Sequence, residues 1–140
     1  MRTYRYKSQT SDFGLFLGIT AEATRLDAAP TIGKKLSDRV WLDTSQVHNA
    51  YRGEPLTLSE REAAWLEFGL LKVTSSIEAQ ATGHVLITLQ ALEIVEADYA
   101  EAALAPAFAR WTEAEFGLPP NPGHVTRDSA TGQFTFEWDQ

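Results

Sequence analysis

Residues 58–92 read LSEREAAWLEFGLLKVTSSIEAQATGHVLITLQAL. This stretch decides the fold class, because its hydrophobic period changes from helical to extended partway along. Ser59-Glu60-Arg61-Glu62 has the form of a capping box. In that arrangement the Ser59 hydroxyl takes the amide of the third helical residue, while Glu62 reaches back to the amide of Ser59. Leu58 stands where a hydrophobic staple to Ala63 would place it. Leu66, Gly69, Leu70, Val73 and Ile77 then recur at helical spacing, which predicts one helix over residues 59–79. Gly69 on that stripe would let another element approach closely. Beyond the turn Ala81-Thr82-Gly83, Val85, Ile87 and Leu89 alternate with Leu86, Thr88 and Gln90. Apolar residues on both faces near its start predict a central strand.

Towards the N-terminus, Tyr4 and Tyr6 alternate with Arg5 and Lys7. A polar turn at Ser8–Asp12 then leads into Phe13, Leu15, Leu17, Ile19 and Ala21, one apolar face of a second strand. The two read as a hairpin. Gly14 and Gly18 share the other face and suggest a bulge or close packing there. Residues 25–39 show no clear period, Val40-Trp41-Leu42 fits a short strand, and residues 43–53 are irregular. So long an unreadable stretch is often a functional element, and it fits equally a strand and turn without a clear pattern. Towards the C-terminus, Asp98-Tyr99-Ala100-Glu101 resembles a second capping box, followed by Leu104, Ala107, Phe108 and Trp111 and closed by Gly117. Pro106 lies too deep for a straight helix over 99–116 and predicts a kink or break near Leu104. A last hairpin is expected from His124–Arg127, a turn at 128–132, and Phe134, Phe136 and Trp138 in alternation. The fold class that follows is α+β. Residues 1–140 should form one domain, a single mainly antiparallel sheet of about five to six strands with two helices packed on one face.

Composition narrows the function. The chain of 140 residues has no cysteine, so disulfides and thiolate chemistry are excluded. Arg2-Thr3-Tyr4-Arg5-Tyr6-Lys7 has no apolar run behind it, and no segment approaches a membrane span; a cytoplasmic location and no membrane association are expected. The net charge is −7. Residues 1–52 carry eight Lys/Arg against five Asp/Glu, and residues 53–140 carry four against fourteen, giving +3 and −10. This balance argues against nucleic-acid binding, which needs a net basic face; it reads most simply as a solvated surface and also suits a protein partner with a basic surface. A homodimer is a further assembly left open.

The order of strand 13–23, an irregular stretch, a helix centred on Gly69, the strand Gly83-His84-Val85-Leu86-Ile87-Thr88-Leu89, and a helix started by Asp98 resembles the fourth domain of elongation factor G and its ribosome-protecting relatives. The resemblance covers residues 13–116 and implies a ribosomal-protein-S5-like fold with a role at the ribosome. The chain departs from that family in having no GTPase domain and an acidic surface. No functional residue is carried over.

Chemistry-bearing residues are sparse. No glycine-rich loop joins a strand to a helix, so no phosphate-binding cofactor is expected. His48, His84 and His124 are far apart and lack metal-ligand spacing, so no metal is expected. His48 alone has hydroxyl and carboxylate neighbours, and Ser45 with His48 could be drawn as nucleophile and base, although the spacing does not demand it. Glu93, Glu96, Asp98 and Glu101 form the densest carboxylate run. They read either as an acid–base set or, more simply, as a helix cap with a solvated loop. Trp65 lies at the edge of its helical stripe, where it could serve the core or anchor a partner.

Three functions from different classes follow. The first, preferred, is a non-catalytic protein-binding module of the immunity- or antitoxin-like kind found in bacterial toxin systems, with Trp65, Glu93, Glu96, Asp98, Glu101 and His48 as its candidate binding residues. The second is an accessory protein acting at the ribosome, which predicts a basic patch from Arg2, Arg5, Lys7, Lys34, Lys35 and Arg39. The third is a small pocket-bearing enzyme or ligand-binding protein of a biosynthetic pathway, which predicts a cavity gathering His48 with Asp43 or a carboxylate from residues 93–101.

Overall fold

A computed structural model describes residues 1–9, 14–119, 124–127, 130–131 and 134–137. Strands β1 (Arg2–Gln9) and β2 (Gly14–Leu26) form the expected antiparallel hairpin, with Tyr4 opposite Ile19 and Tyr6 opposite Leu17. Leu15, Leu17, Ile19 and Ala21 are buried, as their alternation predicts. Phe13 lies outside the described residues. Residues 25–39, which carried no clear period, hold β3 (Lys34–Ser37); it forms a second hairpin with β4 (Val40–Asp43), the short strand expected at Val40-Trp41-Leu42, and the two-residue strand β5 (His48–Asn49) follows. Strand β6 (His84–Ile94) is central, as expected, and the order across the sheet is β1-β2-β6-β4-β3 with β5 also paired to β6. Both β4 and β5 run parallel to β6, so the sheet is mixed with a mainly antiparallel body. Parallel neighbours need a long crossover, and the helices between β4 and β6 supply it.

One residue of β6 sets the phase of the whole sheet. Thr20 faces Ala91 and Ala21 faces Leu89, which leaves Gln90 as an extra residue in a bulge. Val85, Ile87 and Leu89 point to the core before it, and Leu92 points there after it. Glu93 therefore lies inside the strand, on the opposite face, rather than in a solvated loop as its sequence suggested.

The capping box opens α1 (Glu60–Leu71): the Glu62 amide donates to Ser59 Oγ at 3.1 Å and the Ser59 amide donates to Glu62 at 3.0 Å. The expected single helix over 59–79 is broken at Val73, whose backbone leaves the helical region (φ −119°, ψ 2°). A second helix, α2 (Thr74–Gln80), follows, with Thr74 Oγ1 donating to the Leu71 carbonyl at 3.1 Å. The apolar stripe survives the break, since Leu66, Leu70, Val73 and Ile77 are all buried.

The last helix, α3 (Leu104–Phe116), starts five residues later than the 99–116 reading. Asp98-Tyr99-Ala100-Glu101 makes no cap. Glu96–Asp98 and Glu101–Ala103 form separate 3-10 turns, with extended backbone at Ala100 between them. Pro106 then falls in the first turn of α3, where its missing amide would have had no intrahelical partner; this is why the break falls near Leu104. Gly117, at φ 65°, ends the helix in the left-handed conformation.

The three helices share one core with the inward residues of β2, β4 and β6. Trp111 is fully buried, and its indole Nε1 donates to the Arg2 carbonyl at 2.9 Å. At the crossing of α1 and α3, a Cβ on Gly69 would stand 2.2 Å from the Ala105 carbonyl oxygen, so the close approach expected there is real. A separate hairpin pairs β7 (His124–Arg127) with β8 (Phe134–Glu137); Trp138 and most of the turn lie outside the described residues. Among the described residues, no helix is long and apolar enough to cross a membrane.

Candidate functional site

The bulge in β6 places Arg5, Gly18 and Glu93 in one row across three strands on the face away from the helices. Gly18 has no side chain, and the Glu93 carboxylate lies over it, 2.8 Å from where a Cβ would be. There it meets Arg5 Nε at 3.0 Å. Glu93 is only 8% exposed, and a buried carboxylate needs such a partner. Tyr51 reaches the same carboxylate from the side, its hydroxyl donating at 3.4 Å. Desolvation and the negative charge of Glu93 raise the Tyr51 pKa, so the phenol remains a donor at neutral pH.

Tyr51 sits on a fixed turn. Asn49 Oδ1 accepts the amides of Tyr51 at 3.0 Å and Arg52 at 3.3 Å, while the Ala50 amide donates to the Leu92 carbonyl of β6 at 2.9 Å. Gly53, at φ 72°, lets its amide return to the Asn49 carbonyl at 2.7 Å. Opposite the turn, Tyr99 donates a short hydrogen bond to Glu62 of α1. Burial first, then Glu62 and Glu101, push the Tyr99 pKa far above its usual range.

Between these two tyrosines lies a groove of about 610 Å³, lined by Asn49, Tyr51, Arg52, Leu56, Ile94 and Tyr99. Tyr51 is 59% exposed and the adjoining Val95 is 39% exposed. The groove thus joins aromatic and aliphatic walls, and the turns that frame it carry Glu54 and Asp98.

Leu56 also walls a second cavity, of about 430 Å³, between residues 44–48 and residues 55–58 with Ala63 at its end. His48 and Ser45 both line it. The Ser45 hydroxyl donates to Asp43 Oδ1 at 2.6 Å, but Asp43 itself is not among the residues that line the cavity. The carboxylates of residues 93–101 do not line this cavity.

The predicted binding residues therefore separate. Glu93 is paired with Arg5, and Glu101 forms an ion pair with Arg61 at 2.5 Å. Asp98 is exposed in its 3-10 turn, and the Glu96 side chain lies outside the described residues. Trp65 is half-buried, edge-on to Phe68 with ring centroids 5.9 Å apart, and lines neither cavity. Tyr51 and Tyr99 went unrecognised in the sequence. The only signal for Tyr51 was the turn-forming Asn49 and Gly53 around it.

The basic side chains suggested for a ribosomal surface do not form one patch. Arg2, Arg5 and Lys7 lie on β1 at one edge of the sheet, and Lys34 and Lys35 on β3 at the other. Arg39 is turned inward, donating to the carbonyls of Glu78, Ala81 and Gly83. Among the described residues, no group of three or more His, Asp or Glu is placed to hold a metal. No protein-family model matches the chain, and no curated protein matches it.

Proposed function

We propose that this chain is a protein-binding module and that its partner docks in the groove between Tyr51 and Tyr99. The supporting observation is the groove itself, an apolar floor of Leu56 and Ile94 between two anchored tyrosines. Protein interfaces concentrate binding energy in such aromatic centres and surround them with polar rims. Here the tyrosine rings lose little freedom on binding, because the hydroxyl of each is already tied to a carboxylate.

The partner segment should carry an apolar side chain flanked by basic residues. The apolar group would fill the space over Leu56 and Ile94, and the basic groups would meet Glu54 and Asp98 on the framing turns. Arg5 and Arg61 already offset Glu93 and Glu101, so these other carboxylates carry the attraction. A domain that masks a basic partner in this way would act as immunity proteins and antitoxins do.

The test is to purify the chain from its source cell with a stoichiometric partner and measure affinity for wild type, Tyr51→Ala and Ile94→Asp. Each substitution should weaken the complex about thirtyfold or more, as expected for a hot-spot residue. Trp65→Ala should leave affinity nearly unchanged. A partner bound equally well by both groove variants would overturn the assignment.

A further inference from the structure

The second cavity differs in character from the groove. Its walls present Thr44, Ser45, Gln46, His48 and Thr57, while Val47, Leu56 and Leu58 make its apolar part. The Ser45 hydroxyl proton points to Asp43, which leaves the Ser45 oxygen lone pairs as acceptors. Among the described residues, the side chains of Thr44, Gln46, His48 and Thr57 make no hydrogen bond to the protein. Each of these four can both donate and accept, histidine through its two ring nitrogens when neutral.

We propose that this cavity binds a small, uncharged, hydroxyl-rich molecule of about monosaccharide size. Its volume of about 430 Å³ lies within the range of small-molecule sites. A ligand hydroxyl also donates and accepts, so it matches walls built from hydroxyl, amide and imidazole groups. Ligand charge would go unmet. No carboxylate, lysine or arginine lines the cavity, and the adjacent first turn of α1 carries Glu60 and Glu62, which oppose an anion. Glu62 could not readily serve a cation, since it already accepts from the Ser59 amide and from Tyr99. The aliphatic floor suits the CH face of a ring. The position of the mouth is fixed by backbone bonds, notably the Leu56 amide to the Val47 carbonyl at 2.8 Å.

Amide NMR titrations of the full chain test this with methyl glucoside, inositol and uridine as neutral probes, and glucuronate and glucosamine as charged ones. At least one neutral probe should give saturable shifts confined to residues 44–48, 56–58 and 63. The charged probes should bind about tenfold more weakly or not at all. Gln46→Ala combined with Thr57→Val should weaken the neutral probe about tenfold, and both sites are exposed enough to keep the fold. Ala63→Leu should abolish the shifts by filling the end of the cavity. Tyr51→Ala should not affect them, which separates this site from the docking groove. The proposal is overturned if no neutral probe gives saturable shifts, if glucuronate binds equally well, or if the double variant binds unchanged.

Discussion

Gly69 shows how much one missing methyl group matters. A Cβ there would stand 2.2 Å from the Ala105 carbonyl oxygen and 2.8 Å from its Cα, both backbone atoms that no side-chain rotation can clear. Gly69→Ala should therefore destabilise the fold by about 3 kcal/mol, read as a lower urea midpoint, despite alanine's better helix propensity. Arg39 is a second such residue. Its guanidinium joins carbonyls at the end of α2 to the start of β6, including Ala81 at 2.6 Å and Gly83 at 2.9 Å. Arg39→Ala should cost about 3 kcal/mol, and Arg39→Lys should recover little, because an ammonium cannot span that fork. Glu78 accepts from Ser37 Oγ and, at 3.3 Å, from the Arg39 amide. The Ser37 hydrogen bond chiefly, helped by the Arg39 amide and charge against some desolvation, holds the Glu78 pKa below its ordinary 4.5. A depressed folded pKa stabilises the protein above the unfolded value, and the gain disappears as pH falls through the folded one. Wild type should thus exceed Glu78→Gln in urea midpoint at neutral pH, and the gap should close once the pH has fallen below the depressed folded pKa of Glu78. A gap that stayed constant with pH would show that Glu78 acts through packing alone.

Elements were legible where local chemistry alone decides them. The Ser59–Glu62 box, the alternation of β2, the buried stripe through Ile77 and the break before Pro106 all follow from neighbouring side chains. The break at Val73 did not, because the apolar spacing continues through it and residues 70–77 contain neither glycine nor proline. Strand β3 has four residues, too few to show a period, and the parallel pairing of β4 with β6 depends on distant sequence. The site was less legible than the fold. Glu93 looked like loop because the bulge at Gln90 ends the regular alternation one turn of the pleat earlier. Tyr99 was hidden in what resembled a helix cap. Deleting Gln90 tests the bulge as an element. Residues 91–94 would slip by one, turning Leu92 outward and Glu93 into the core, since strand side chains alternate faces. The loss should exceed about 4 kcal/mol, enough to leave much of the chain unfolded by circular dichroism. A folded deletion variant with wild-type stability would show that the bulge does not set the phase.

At the scale of the whole molecule, folding undoes the charge division seen along the chain. Arg2 pairs with Glu115, Arg5 with Glu93 and Lys34 with Glu67, each joining a cation from the basic first part to a carboxylate from the acidic remainder. The cations of these pairs are 47%, 58% and 66% exposed, so each pair is worth about 1 kcal/mol or less. Their more consequential role concerns the open edge of the sheet. Among the described residues, β1 pairs only with β2, leaving its other side free to accept a strand. Antiparallel self-pairing centred on Tyr6 would set Arg5 of one copy against Lys7 of the other, and opposed like charges disfavour that register. Lys7 is the cleaner of the two to replace, because Arg5 also holds Glu93; Lys7 instead lies over the Phe16 ring, 5.9 Å from its centroid. Lys7→Val should therefore shift the sedimentation distribution towards dimers and larger species, and high salt should do the same for the parent chain by screening the repulsion. If neither change alters the distribution, charge on β1 is not what keeps copies of the chain apart.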